Sequence, residues 1–155
     1  MVDRFRLVPA VYVYLRRDGE VLLQERQNTG FMDGRWAAAI SGHVEAGESV
    51  VEAAVREARE ETGVVVPASA LKPLTTLHRT DGSDAPVEQR VDFCFECWSW
   101  VGEPVVRERA KASGMRWFRL DALPEPMPPH ERWVLERLEE GDLPAIWTFG
   151  FPTEG

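Results

Sequence analysis

Residues 42–64 read GHVEAGESVVEAAVREAREETGV. Ser49 followed three residues later by Glu52 makes a capping-box pattern, and Gly63 stands where a C-terminal glycine cap belongs. The spacing therefore predicts an α-helix over Ser49–Thr62. At 3.6 residues per turn, Val51, Ala54, Val55 and Ala58 fall on one side and are expected to face the core. Glu52, Arg56 and Arg59 fall on a second side. Glu57, Glu60 and Glu61 gather on a third, at i, i+3 and i+4, so the three carboxylates are neighbours. Helix propensity does not ask for three like charges so close together. The arrangement makes sense where cations sit between them, because Mg²⁺ and Mn²⁺ take oxygen ligands from a few carboxylates, waters and substrate phosphates. An isolated E-x-x-E-E is more often a solvated acidic patch, so the surroundings must decide.

Outward from this helix, Val8–Leu15 and Val21–Gln24 are β-prone and flank Asp18-Gly19, a two-residue hairpin signal. A loop is expected over Gln27–Arg35, then a short apolar run at Trp36–Ile40. Beyond the helix, Val64–Val66, Leu74–His78, Val91–Trp100 and Met115–Leu120 read as β segments. Pro128-Pro129 opens a last helix, His130–Glu140, which ends at Gly141. Ala145–Phe149 is a final short strand candidate, and the apolar tail through Phe151 reads as core or as an interface. No repeat or linker is visible. Long strands flanking a central helix predict an α+β sandwich with mixed sheets between helices.

The 155 residues fit one domain, with 44% hydrophobic and 28% charged residues, enough to bury a core without disulfides. A net charge of −8 argues against nucleic-acid binding, which needs clustered Lys and Arg, and means that an anionic substrate would have to be neutralised by something else. No leading apolar stretch suggests a signal peptide, and none approaches the roughly 20 apolar residues of a membrane helix. A soluble, cytoplasmic protein is expected. Cys94 and Cys97 form a C-x-x-C without the second pair that a zinc site needs.

The stretch 42–64 resembles the Nudix box, G-x5-E-x7-R-E-U-x-E-E-x-G-U with U apolar. Gly42, Glu48, Arg56, Glu57, Glu60, Glu61 and Gly63 fill the seven fixed positions, and Ala58 and Val64 the apolar ones. At average composition such a match arises by accident in roughly one chain in a million. Similarity to the MutT-like branch extends weakly through R-V-D-F and W-x-G-E-P to R-W-F-R-L-D-A-L-P, while W-x-A-A-I-S-G-H also resembles isopentenyl diphosphate isomerase-like members.

The resemblance implies an α/β/α sandwich with a central mixed sheet and a loop-helix-loop. It implies that Glu57 and Glu61 ligate metal directly and Glu60 directly or through water, that the Gly42 carbonyl faces a metal, and that Arg56 and Glu48 tie loop to helix. Family members often supply one more acidic residue from outside the box. Glu108, in E-R-A-K nine residues before Trp117, is the candidate as ligand or general base. Glu60 is the other candidate base, and Lys111 would meet a phosphate. Arg26, His43, His130 and Glu131 are the remaining substrate-binding candidates, the last two where some relatives carry acidic residues for purine recognition. The implied reaction is Mg²⁺-dependent hydrolysis (Mn²⁺ as substitute) of a nucleoside triphosphate to monophosphate and pyrophosphate. ADP-ribose, nucleoside diphosphate-sugar or dinucleotide hydrolysis is the enzymatic alternative, and nucleotide sensing the non-enzymatic one. A small-molecule nucleotide is the expected partner, with no nucleic acid or membrane, and many relatives form homodimers.

Overall fold

A computed structural model of the chain describes residues 3–27 and 33–152. Residues 28–32 of the loop expected over Gln27–Arg35 lie outside the described residues. The elements in chain order are β1 (Val8–Arg17), β2 (Glu20–Arg26), β3 (Trp36–Ala38), β4 (Ile40–His43), α1 (Val50–Thr62), β5 (Leu71–Arg79), β6 (Arg90–Cys97), β7 (Ala112–Arg119), α2 (Pro129–Glu140) and β8 (Ile146–Phe149).

β1 organises the sheet. It pairs antiparallel with β4 and parallel with β6, which continues antiparallel into β5 and then parallel into β8. Asp18 and Gly19, both at positive φ (50° and 92°), turn β1 into β2 as the hairpin signal predicted. β2 carries β3 and β7 on its two edges. The sheet is therefore mixed.

Alternation along β1 builds two cores. Val11, Val13 and Leu15 pack with Ala53, Ala54 and Ala58 of α1, whereas Ala10, Tyr12 and Tyr14 pack with Val134 and Leu135 of α2. A strand covered on both faces reads as an unbroken apolar run, which VPAVYVYL is. The expected α/β/α sandwich follows.

Several local expectations need correction. The sheet-facing stripe of α1 is Ala53, Ala54, Ala58 and Thr62, while Val51 is 39% exposed and Val55 is half-buried. Small residues let the helix lie close on the strands, and Thr62 satisfies its hydroxyl by donating to the Ala58 carbonyl at 2.7 Å. Val64–Val66 is no strand; Val65 makes a single bridge to Val101, between buried Val64 and Val66. β6 ends at Cys97, short of Trp100. β5 begins at Leu71 and tolerates Pro73 because the register slips there in a bulge. The run Trp36–Ile40 divides between β3 and β4, which pair with different strands. Ile146 of β8 is 72% exposed at the sheet edge. Cys94 and Cys97 are both buried free thiols in opposite cores, so they form no shared site.

Candidate functional site

The loop-helix junction is built by one arginine. Ser49 caps α1 by accepting from the Glu52 amide at 3.0 Å, and Gly63, at φ 81°, closes it with its N–H on the Arg59 carbonyl. From the second turn Arg56 grips Glu48 with two donors, Nε at 2.6 Å and Nη2 at 3.0 Å. Its Nη2 also donates to the His43 carbonyl at 3.1 Å. Such bidentate, charge-assisted pairs fix geometry as well as charge. The Arg56 hydrogen bonds, followed by the Glu45 amide, pull the Glu48 carboxyl down to about 2.

Gly42, on β4, lies against α1. A Cβ added there would run into the Glu57 carboxylate, so only glycine allows this approach. One turn on, Glu61 accepts the Ser41 amide at 2.7 Å. β4 and α1 therefore meet through polar atoms at one end and through the alanines of α1 at the other. The two carboxylates are poorly solvated. Burial, reinforced by the Glu57 charge, pushes Glu61 up to about 9, and burial raises Glu57 despite its hydrogen bond from Arg56. Glu60 points outward, with its side chain 53% exposed. Glu108 reaches the same space from the turn before β7, its charge adding to the upward pressure on Glu57 and Glu61. Lys111 sits 3.7 Å from it.

A cavity of about 620 Å³ opens over this junction. It brings together Gly42, His43, Glu57, Glu60, Glu61, Glu108, Lys111 and Arg26, eight of the ten residues expected at a site. His130 and Glu131 do not line it. They lie 5% and 4% exposed in the first turn of α2. Glu131 accepts the Tyr14 hydroxyl and the Ala38 amide, both at 2.8 Å. His130 Nε2 is 3.4 Å from the hydroxyl of Tyr12, and Tyr12 does line the cavity.

Sequence reasoning missed Tyr12 and Arg90 as cavity residues. Arg90 lies within the Q-R-V-D-F stretch, but only the parallel register of β6 on β1, which sets Arg90 beside Val8, brings it here. Its Nη1 is 3.4 Å from His43 Nε2. Burial and the Arg90 charge hold the His43 imidazole below its usual range.

Among the described residues no three His, Cys, Asp or Glu side chains already converge on a metal position. Instead Arg56 Nη1 bridges Glu57 (2.8 Å) and Glu60 (3.1 Å). The residues nevertheless fit a divalent cation. The donors are all oxygen, as Mg²⁺ and Mn²⁺ require, the absence of a side chain at Gly42 leaves the Glu57 carboxylate its space beside β4, and burial raises both Glu57 and Glu61, a cost that a bound cation would offset.

A NUDIX domain family model matches residues 6–138. YvcI, a Nudix hydrolase of Bacillus subtilis, is 30% identical over 141 residues, covering 90% of this chain and 84% of YvcI. An ADP-ribose pyrophosphatase of Methanocaldococcus jannaschii is 43% identical over 133 residues, covering 84% of this chain and 74% of that enzyme. The NAD-capped RNA hydrolase NudC of Pseudomonas aeruginosa is 34% identical over 123 residues, 79% of this chain, which spans only 40% of NudC. Among solved structures, the MutT NUDIX hydrolase of Burkholderia pseudomallei superposes with a TM-score of 0.77 at 28% identity, covering 86% of this chain and 98% of that one. With a box complete in sequence and folded onto the sheet, and with relatives alike along most of the chain, the protein belongs to the Nudix family and is a phosphoanhydride hydrolase.

Proposed function

We propose that the protein hydrolyses the diphosphate linkage of a small nucleotide with Mg²⁺, or Mn²⁺ in its place, and releases a nucleoside monophosphate. One observation carries this reading: Glu57, Glu60, Glu61 and Glu108 share a single cavity with Arg26 and Lys111. In a chain of net charge −8, that cavity is where a polyanion can be met by both metal-ligating oxygens and fixed cations.

In this reading Glu57, Glu61 and the Gly42 carbonyl would hold the cation, with Glu60 as a further ligand directly or through water. A divalent cation bound there would neutralise charge on the attacked phosphate and lower the pKa of a coordinated water. Arg56 orients Glu57 and Glu60 through Nη1 while Glu48 holds its other edge. Lys111 and Arg26 bind phosphate oxygens. Glu108, with its side chain 43% exposed, or Glu60 accepts the proton of the attacking water. His43 borders the phosphates, His130 acts on a bound base through Tyr12, its neighbour at 3.4 Å, and Glu131 acts through the charge of Arg26.

A nucleoside triphosphate, cleaved to monophosphate and pyrophosphate, satisfies this geometry. A nucleoside diphosphate with a second organic group satisfies it equally. The second substrate is favoured by the ADP-ribose pyrophosphatase relative, whose 43% identity runs over 84% of this chain. The protein is taken to act in the cytoplasm; no described helix is long and apolar enough to cross a membrane. Homodimer formation is part of the same reading.

The test is product analysis with Mg²⁺ across nucleoside triphosphates, ADP-ribose and dinucleotides. Monophosphate is expected with Mg²⁺ and not with excess chelator. A folded Glu57→Gln variant turning over at the wild-type rate would overturn the ligand assignment, and no product from any of these substrates would overturn the function.

A further inference from the structure

Beside the carboxylate cavity lies a second recess of about 480 Å³, and His43 lines both. Its walls are apolar: Leu7, Val8 and Pro9 from the start of β1 face Pro86 and Val87 from the turn before β6, with Arg6 at the rim. Hydrogen bonds hold this turn in place. The Glu88 amide donates to the Ala85 carbonyl at 3.0 Å, Gln89 Nε2 donates to the Ser83 carbonyl at 2.7 Å, and Arg90 Nε donates to the Val87 carbonyl at 2.9 Å. Arg90 thus anchors the recess wall while also lining the carboxylate cavity, and His43 stands on the border between the two. Val87 is 53% exposed.

We propose that this recess is a second substrate subsite, which takes a nucleobase-sized aromatic ring carried beyond the far phosphate. The inference rests on the hydrolase function proposed above and deepens it: the preferred substrate is a diphosphate with a heterocycle at each end. Apolar walls suit the face of a ring and do not suit a bare pyrophosphate or a sugar, whose hydroxyls would lose water there without partners. Arg90 and Arg6 give this side of the site the positive charge that a phosphate next to the ring requires. In the reaction, water oxygen bonds to one phosphorus and that atom's bond to the bridging oxygen breaks. The bridging oxygen leaves on the second phosphate, and one proton passes to solvent. Two monophosphates result.

The matched probes are diadenosine 5′,5″-P1,P2-diphosphate and ADP-ribose, which share an adenosine diphosphate and differ in the second base. Val87→Asn places an amide in the wall at an exposed position, and thermal unfolding checks that it stays folded. The kcat/KM ratio of diadenosine diphosphate to ADP-ribose is expected to exceed one in the wild type and to fall about tenfold in the variant, as loss of apolar contact implies. An unchanged ratio overturns the subsite, as does equal weakening of both substrates, which would put the common adenosine in the recess. A wild type that cleaves ADP-ribose or ATP but not diadenosine diphosphate also overturns the subsite and leaves the hydrolase reading standing. A wild type that cleaves none of them overturns both.

Discussion

Replacing Glu131 with Gln should change how the stability of this protein depends on pH, in a direction the structure dictates. Glu131 is 4% exposed, and burial pushes its carboxyl up to about 7 against the two hydrogen bonds it accepts. Relative to an unfolded value of 4.5, the folded protein keeps a proton that the unfolded chain gives up. The contribution of Glu131 is therefore fully present below about 4.5 and is lost as pH rises through about 7. At about 1.4 kcal/mol per unit, the loss across that window is roughly 3 kcal/mol. The adjacent His130 works the other way. Burial, then the charges of Arg79 and Arg90, hold its imidazole down at about 3 against 6.5, so its contribution grows as pH rises through that range. Over the overlap the two slopes cancel, and the wild type shows little net dependence from this pair. In Glu131→Gln the amide oxygen can still accept from Tyr14 and Ala38, but nothing titrates. Urea unfolding of both proteins at several pH values between about 4.5 and 7 isolates the difference, because other groups cancel. The variant should gain about 3 kcal/mol relative to the wild type across the window, whatever constant offset the substitution brings. A difference that stays flat, or that moves against the variant as pH rises, would refute the assignment of a buried, proton-holding Glu131.

Gly42→Ala drives a methyl group into the Glu57 carboxylate; displacement of that side chain should cost about 100-fold in kcat while circular dichroism stays unchanged, and a variant of wild-type activity would show that the contact is unimportant. Arg56→Lys loses the two-donor grip on Glu48. A shift of roughly 10–100-fold to higher Mg²⁺ is expected in the activity titration, whereas superimposed titration curves would deny Arg56 its positioning role. Ala58→Val, at a position with no exposed surface where α1 meets the sheet, should cost about 1–3 kcal/mol in urea unfolding. Val51→Ser on the outer face should stay within about 0.5 kcal/mol, and the reverse order would mean that the helix is rotated from its described position.

What could be read in the sequence was what short-range chemistry decides. The caps of α1 depend on Ser49, Glu52 and Gly63, all within one helix length, and the box assembles its carboxylates within two turns. The hairpin at Asp18-Gly19 is equally local. The orientation of α1 is different: Val51 and Val55 outweigh alanine on any hydrophobic scale, yet the sheet selects Ala53, Ala54 and Ala58 because it needs a close approach, and the identity of the opposing strand decides that. The same limit hid Arg90, whose place beside His43 arises from parallel pairing between β1 and β6, strands about eighty residues apart in the chain. It also governed His130 and Glu131. Both stand at the start of α2, but β1 is buried on both faces, so its unbroken apolar pattern could not say which helix covers which face. The sheet puts α2 on the face opposite α1, and Tyr12 stands between His130 and the cavity. Glu57, Glu60 and Glu61 owe their place to one helix, so their grouping was predictable from residue spacing. The rest of the cavity is lined from β1, β2, β4, β6 and the turn before β7, so its shape depends on strand pairing, which residue spacing does not encode.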